Sequence, residues 1–263
     1  MKKGVVVFLD ALGMKGVWNK EQNFIDKWKR VYNSFDKYRI MSEIAANSIF
    51  RKIMTRVGIT DEHEISKITP RFKFSFFSDT IIITASSQDN IPPPDLLIPF
   101  VAHLLVAPFL TALQNNIFFR GSISIGNFYE LEDGADNIFQ SRRIALGPAI
   151  DEAAEYYTTP NWIGISTTPS ASLAIEQRTD VSLNETYFVK YDIPTKDGSE
   201  HNGWALAWPK LDLPGKGFNE TTERCRKYLS AKLNAEDVIN KPLSISVYTK
   251  YRNTLDFYDF CNG

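Results

Sequence analysis

Val5-Val6-Val7-Phe8-Leu9 is an unbroken apolar run that stops at Asp10, the pattern of a strand covered on both faces and therefore central in a sheet. Over residues 21–56, Phe24, Trp28, Val31 and Phe35, then Ile40, Ile44, Ile49 and Ile53, recur at helical spacing and predict one or two amphipathic helices with an aromatic stripe in the core. Residues 62–70 read as a loop. Two strand patterns, 72–77 and 80–84, are separated only by Ser78-Asp79, which predicts a hairpin carrying that aspartate at its tip. Pro92, Pro93 and Pro94 stiffen a connector over 89–94 ahead of a helix over 95–114.

Residues 117–125 alternate as a strand that Gly126 closes, and a polar loop follows over 130–141. In Ile144-Ala145-Leu146-Gly147-Pro148-Ala149-Ile150, Pro148 suits a first helical turn, and the helix runs to about Tyr157. Another buried strand is expected over 162–166. Segments 187–191 and 203–208 form a strand pair around the turn Lys196-Asp197-Gly198-Ser199. Helices near 221–233 and 243–257 complete the chain.

This order describes a ferredoxin-like α+β sheet with helices on one face. It forms one domain over 1–263, with a core of about 4–208 and a helical extension of about 215–260. The end of the first strand and the tip of the hairpin are neighbours in that arrangement, so Asp10 and Asp79 meet. Two carboxylates beside buried hydrocarbon repel each other unless a cation sits between them. The pair therefore predicts a hard divalent metal and phosphate chemistry. Either aspartate alone reads first as a strand-end cap or a turn residue; together they favour the metal reading.

The hydrophobic content of 43% suffices for a full core. With 30 basic against 31 acidic residues the chain lacks the surplus cations of a nucleic-acid-binding surface. Cys225 and Cys261 have no zinc-ligand or disulfide-framework spacing, and a reducing cytoplasm fits. His63, His103 and His201 show no metal spacing either. Met1-Lys2-Lys3 opens like a signal peptide, but Asp10 cuts the apolar run short. The longest apolar stretch, about 96–113, is interrupted by prolines, a histidine and polar residues, so no membrane span is expected.

Four segments together carry a family resemblance. Phe8-Leu9-Asp10-Ala11-Leu12-Gly13, Phe77-Ser78-Asp79-Thr80-Ile81-Ile82-Ile83, Arg120-Gly121-Ser122-Ile123-Ser124-Ile125-Gly126 and Leu146-Gly147-Pro148-Ala149-Ile150-Asp151-Glu152-Ala153-Ala154 resemble the catalytic core of class III nucleotidyl cyclases. More narrowly, they resemble the bacterial Pycsar pyrimidine cyclases, which make cyclic UMP or cyclic CMP during phage infection. The resemblance spans residues 4–166.

The resemblance implies that Asp10 and Asp79 hold two Mn²⁺ ions, with Mg²⁺ the alternative, and that Ala11 offers one ion a backbone carbonyl. It implies that Arg120 holds the triphosphate from the same subunit, and that Phe8, Ser75, Ile144 and Lys190 belong to the nucleotide site. Purine cyclases read their base with a polar pair, and Ser75 with Ile144 at the matching positions lacks one. That favours UTP or CTP, and UTP is the commoner assignment in the family.

Asp151 and Glu155 stand where the family has an asparagine and an arginine. An acid cannot replace that arginine, so another cation substitutes, with Lys190, Arg142 and Arg143 as candidates, or the protein turns over slowly or not at all. The resemblance further implies a head-to-tail homodimer with two shared sites and a separate effector reached through the cyclic nucleotide. The alternatives are a catalytically silent nucleotide-binding dimer and, last, a two-metal phosphodiesterase or polymerase-palm relative.

Overall fold

A computed structural model describes residues 1–14, 17, 23–37, 55, 60–61, 71–86, 93–132, 143–177, 187–211, 218–234 and 242–263. The strands are β1 (Lys2–Ala11), β2 (Arg71–Phe77), β3 (Thr80–Ser86), β4 (Phe119–Glu132), β5 (Arg143–Leu146), β6 (Gly164–Thr167), β7 (Phe188–Pro194) and β8 (Glu200–Leu206). The helices are α1 over 24–37, α2 (Leu97–Gln114), α3 (Pro148–Tyr156), α4 (Pro169–Glu176), α5 (Phe218–Lys232) and α6 (Ile245–Asn262). The sheet order is β2-β3-β1-β4-β6-β8-β7, with β5 pairing only the far end of β4.

β1 lies between β3 and β4, antiparallel to both. Its apolar run is continuous because both faces are covered. Val5, Val7 and Leu9 join the main core with α1, α2, α5 and α6, while Val6 and Phe8 pack with Phe128, Ala149, Ile150 and Ala153. Each such side chain withdrawn from water stabilises the fold by roughly 1.5–3 kcal/mol. The expected α+β sheet is present, but its helices are not confined to one face. α3 lies on the face opposite the main core, held there by Ser122 and Ser124, whose hydroxyls donate to the Ala153 and Ala149 carbonyls at 2.7 and 2.5 Å.

Other expectations shift in detail. β4 does not stop at Gly126: opposite β1 it pairs as far as Phe128, and from Tyr129 onward β5 supplies the partner. Ile144 therefore sits on a strand rather than at the approach to a helix, and Gly147, at φ 131°, turns the chain into α3 with Pro148 in its first turn. The prolines do not interrupt the apolar stretch either. Pro99 falls in the first turn of α2, where no helical N–H bond is lost; Pro108 lies inside the helix and removes one such bond, yet α2 runs on to Gln114, and only His103, Thr111 and Gln114 of it escape burial. Over 94–114 the segment is long and apolar enough to cross a bilayer, yet 89% of its most apolar window is buried against the rest of the chain.

α4 was not expected, although Pro169 in its first turn is an ordinary start signal. The two C-terminal helices occur near their expected positions. Phe257 and Leu229 bury in the main core, and Thr254 accepts from the Ile163 N–H at 2.9 Å. Ile40, Ile44, Ile49 and Ile53, the loop 62–70, residues 89–92 and the loop 133–141 lie outside the described residues.

The end of β4 curls back over the sheet. The Glu130 carboxylate, only 8% exposed, pairs with Lys2 and with Lys73 at 2.9 Å and accepts from the Thr84 hydroxyl at 2.5 Å, tying β4 to β1, β2 and β3. Burial alone would raise its pKa, but the bonds from Lys2, Thr84 and Lys73 outweigh burial and hold it below the ordinary 4.5. Its contribution is therefore present above the ordinary glutamate range and is lost as pH falls through the depressed value. Glu130→Gln is expected to lower unfolding free energy by about 1–3 kcal/mol at pH 7. Urea melts of both proteins should show that gap narrowing below pH 4.5.

Candidate active site

Asp10 and Asp79 converge because the hairpin tip is fastened to the end of β1. Thr80 pairs with Asp10, Ser78 turns the chain at φ 55°, and the Ala11 N–H donates to the Asp79 carbonyl at 2.9 Å. On the other side of β1, Asp10 pairs with Arg120. The Arg120 Nε and Nη2 donate to one oxygen, Asp10 Oδ2, at 3.1 and 3.0 Å. The Asp10 side chain is 18% exposed and that of Arg120 14%. Burial raises the Asp10 pKa, Arg120 opposes the rise, Asp79 adds to it and Lys196 opposes it more weakly.

Three further groups complete the site. Tyr157, at the end of α3, lies with its ring centroid 5.3 Å from the Arg120 Cζ. Its ring also stacks on Phe8, with centroids 5.5 Å apart and planes 21° apart. Burial, then Asp10, raise the Tyr157 pKa. Lys196 comes from the β7–β8 turn, and Lys250 from α6. Burial and then Arg120 lower the pKa of each lysine, and Lys250 adds to the effect on Lys196. Lys196 thus feels the charges of both Asp10 and Arg120, whereas Lys250 feels Arg120 while its ammonium donates to the Ser246 hydroxyl on its own helix at 2.8 Å.

The remaining expected residues fall elsewhere. Ser75 shares the site face, in the row Ser75–Ile82–Phe8, two strands away from β1's own row member. Ile144 is on β5 opposite Leu131, at the far end of β4 from Arg120. Lys190 does not join the cations. The pairings Ser122↔Ser166↔Ala205↔Val189 put Val189 on the Asp10 face and so turn Lys190 to the opposite one. There Lys190 pairs with Glu176 of α4 at 2.9 Å. Asp151 and Glu155 are exposed on α3. Arg142 and the side chains of Arg143 and Ile144 lie outside the described residues.

The donor set tests which metal fits. Asp10 and Asp79 supply two carboxylates, and among the described residues no cluster of three or more His, Cys, Asp or Glu forms. That suits Mg²⁺ or Mn²⁺, which keep waters and take phosphate oxygens as further ligands, and not zinc, which asks for three or four side chains.

No protein-family model matches this sequence, and no curated protein matches it. Among solved structures, the chain is similar to the guanylyl cyclase domain of the RhoGC fusion protein from the aquatic fungus Blastocladiella emersonii. The identity is 11% over 78% of this chain and 96% of that one, with a TM-score of 0.45. For an adenylate cyclase of Trypanosoma brucei the identity is 10%, the coverages 81% and 92%, and the TM-score 0.46. For the adenylyl cyclase CyaB of P. aeruginosa they are 13%, 81% and 96%, and 0.44. At these values no residue role passes from those proteins to this chain.

Proposed function

We propose that this chain is a uridylate cyclase, a phosphorus-oxygen lyase converting UTP to 3′,5′-cyclic UMP and pyrophosphate as the messenger synthase of an antiphage system. The observation that carries the reading is the meeting of Asp10, Asp79 and Arg120 at one end of the sheet. Asp10 and Asp79 hold Mn²⁺, with the Ala11 carbonyl as a further donor. When bound, the metal supplies Lewis-acid activation of the ribose 3′-hydroxyl and counter-charge for the departing pyrophosphate.

The 3′-oxygen gives its proton to solvent water and bonds to the α-phosphorus as the bond from that phosphorus to pyrophosphate breaks, the pyrophosphate leaving with the electron pair. Arg120 stabilises the charge gathering on pyrophosphate, and Lys196 takes the phosphate-binding part first expected of Lys190. Ser75 and Ile144 offer no purine-reading pair, which supports a pyrimidine. The protein works in the cytoplasm as a homodimer with shared sites, and its product acts on a separate effector.

Purified protein incubated with Mn²⁺ and each of the four nucleoside triphosphates, with products identified by mass spectrometry, is expected to yield cyclic UMP. Cyclic CMP alone would establish the cytidylate alternative, and no cyclic product from any nucleotide would overturn the cyclase reading. The exposed acids Asp151 and Glu155 favour one second reading, a silent nucleotide-binding dimer. Tight Mn²⁺–nucleotide binding without turnover would establish it.

A further inference from the structure

Arg120 spends both of its short bonds on the carboxylate expected to hold metal. A guanidinium and a divalent ion carry like charge, so an ion that takes Asp10 Oδ2 competes with both Arg120 bonds to that oxygen. Burial first, and then the charge of Arg120, lower the pKa of both Lys196 and Lys250, so Arg120 already acts against other positive charge. One more cation alone is therefore opposed, and a cation arriving with a polyphosphate is not. Beside Arg120 there is a second perch. The Tyr157 ring sits 5.3 Å from its Cζ and is backed by the buried Phe8 ring, so its open face is fixed toward the guanidinium.

We propose that Arg120 is a resident counter-cation which the incoming divalent ion must displace from Asp10, and that Tyr157 is the positioning residue that keeps the displaced guanidinium within the site, facing the nucleotide's phosphates. This rests on the cyclase reading and deepens it. The metal alone then binds poorly, because it must break the ion pair and leave Arg120 without an anion. Metal with nucleotide binds well, because the phosphates receive Arg120. The two ligands are positively coupled through one side chain, and the coupling is reciprocal. An ion pair between the same two residues thus guards the acidic site against metal in the absence of substrate.

Calorimetric titration of the full-length protein with MnCl₂, alone and with α,β-methylene UTP, tests the proposal. Without nucleotide, Arg120→Gln is expected to bind Mn²⁺ about tenfold more tightly than the parent, and with the analogue that advantage disappears. Arg120→Lys, which keeps a charge beside Asp10 without the fork, falls between the two and serves if Arg120→Gln does not fold. Tyr157→Leu keeps the packing on Phe8. It is expected to leave metal-only affinity near the parent's and to weaken the coupling between Mn²⁺ and analogue several-fold.

An Arg120→Gln protein that binds Mn²⁺ no more tightly than the parent overturns the displacement, and undiminished coupling in Tyr157→Leu overturns the role of the ring. Equal Mn²⁺ affinity in the parent and in Asp10→Asn with the analogue present would instead bring down the metal site itself, and the cyclase reading with it.

Discussion

Asp79→Asn is expected to lower Mn²⁺-dependent cyclisation by at least about 10³-fold, equivalent to about 4 kcal/mol of transition-state stabilisation. The substitution keeps size and hydrogen-bonding capacity but removes the charge that a hard ion needs. The fold should survive, because the tip is fastened through the Asp79 carbonyl rather than its side chain. A thermal melt within a few degrees of the parent, with initial rates followed by chromatography of the nucleotide products, would separate the two effects.

Asp10→Asn is expected to be equally inactive yet less stable, since it also deprives the partly buried Arg120 of its counter-charge. Turnover within tenfold of the parent in either variant would remove the aspartates from the site.

How much of this could be read beforehand depends on what the sequence period controls. The aspartates were legible because a strand end and a two-residue hairpin tip are both marked by where apolar alternation stops, and topology then brings them together. Lys190 was misplaced because face follows from register, and one residue along a strand reverses it. The lysine whose charge reaches Asp10 is Lys196, two residues past the end of β7, in the turn recognised from Lys196-Asp197-Gly198-Ser199. A cation at a hairpin tip is the same kind of signal as the aspartate at its own, but only the folded sheet lets the Lys196 charge act on Asp10.

The sequence marks Tyr157 only as a helix end, because the direction in which α3 leaves the sheet depends on Ser122 and Ser124 bonding its carbonyls. β5 escaped notice for a different reason. Four residues are too few to show alternation, and its apolar members continue into a helix without a polar break.

Arg120→Ala is expected to reduce kcat by about 10²–10³-fold, the loss associated with one charge-stabilising donor. Mixing should not repair it. Arg120 and Asp10 are bonded within one chain, so each variant spoils the same half of the site. If the protein is a dimer with sites shared between subunits, equal amounts of Asp10→Asn and Arg120→Ala, unfolded together and refolded, form heterodimers in which one site lacks the carboxylate and the other lacks the guanidinium. Neither site is whole, and the mixture should be no more active than the average of the two variants measured separately. Recovery toward one quarter or more of parental activity would mean that Arg120 serves the opposite subunit's metal pair during turnover. Its bond to Asp10 in the same chain would then have to be exchanged for one across the dimer.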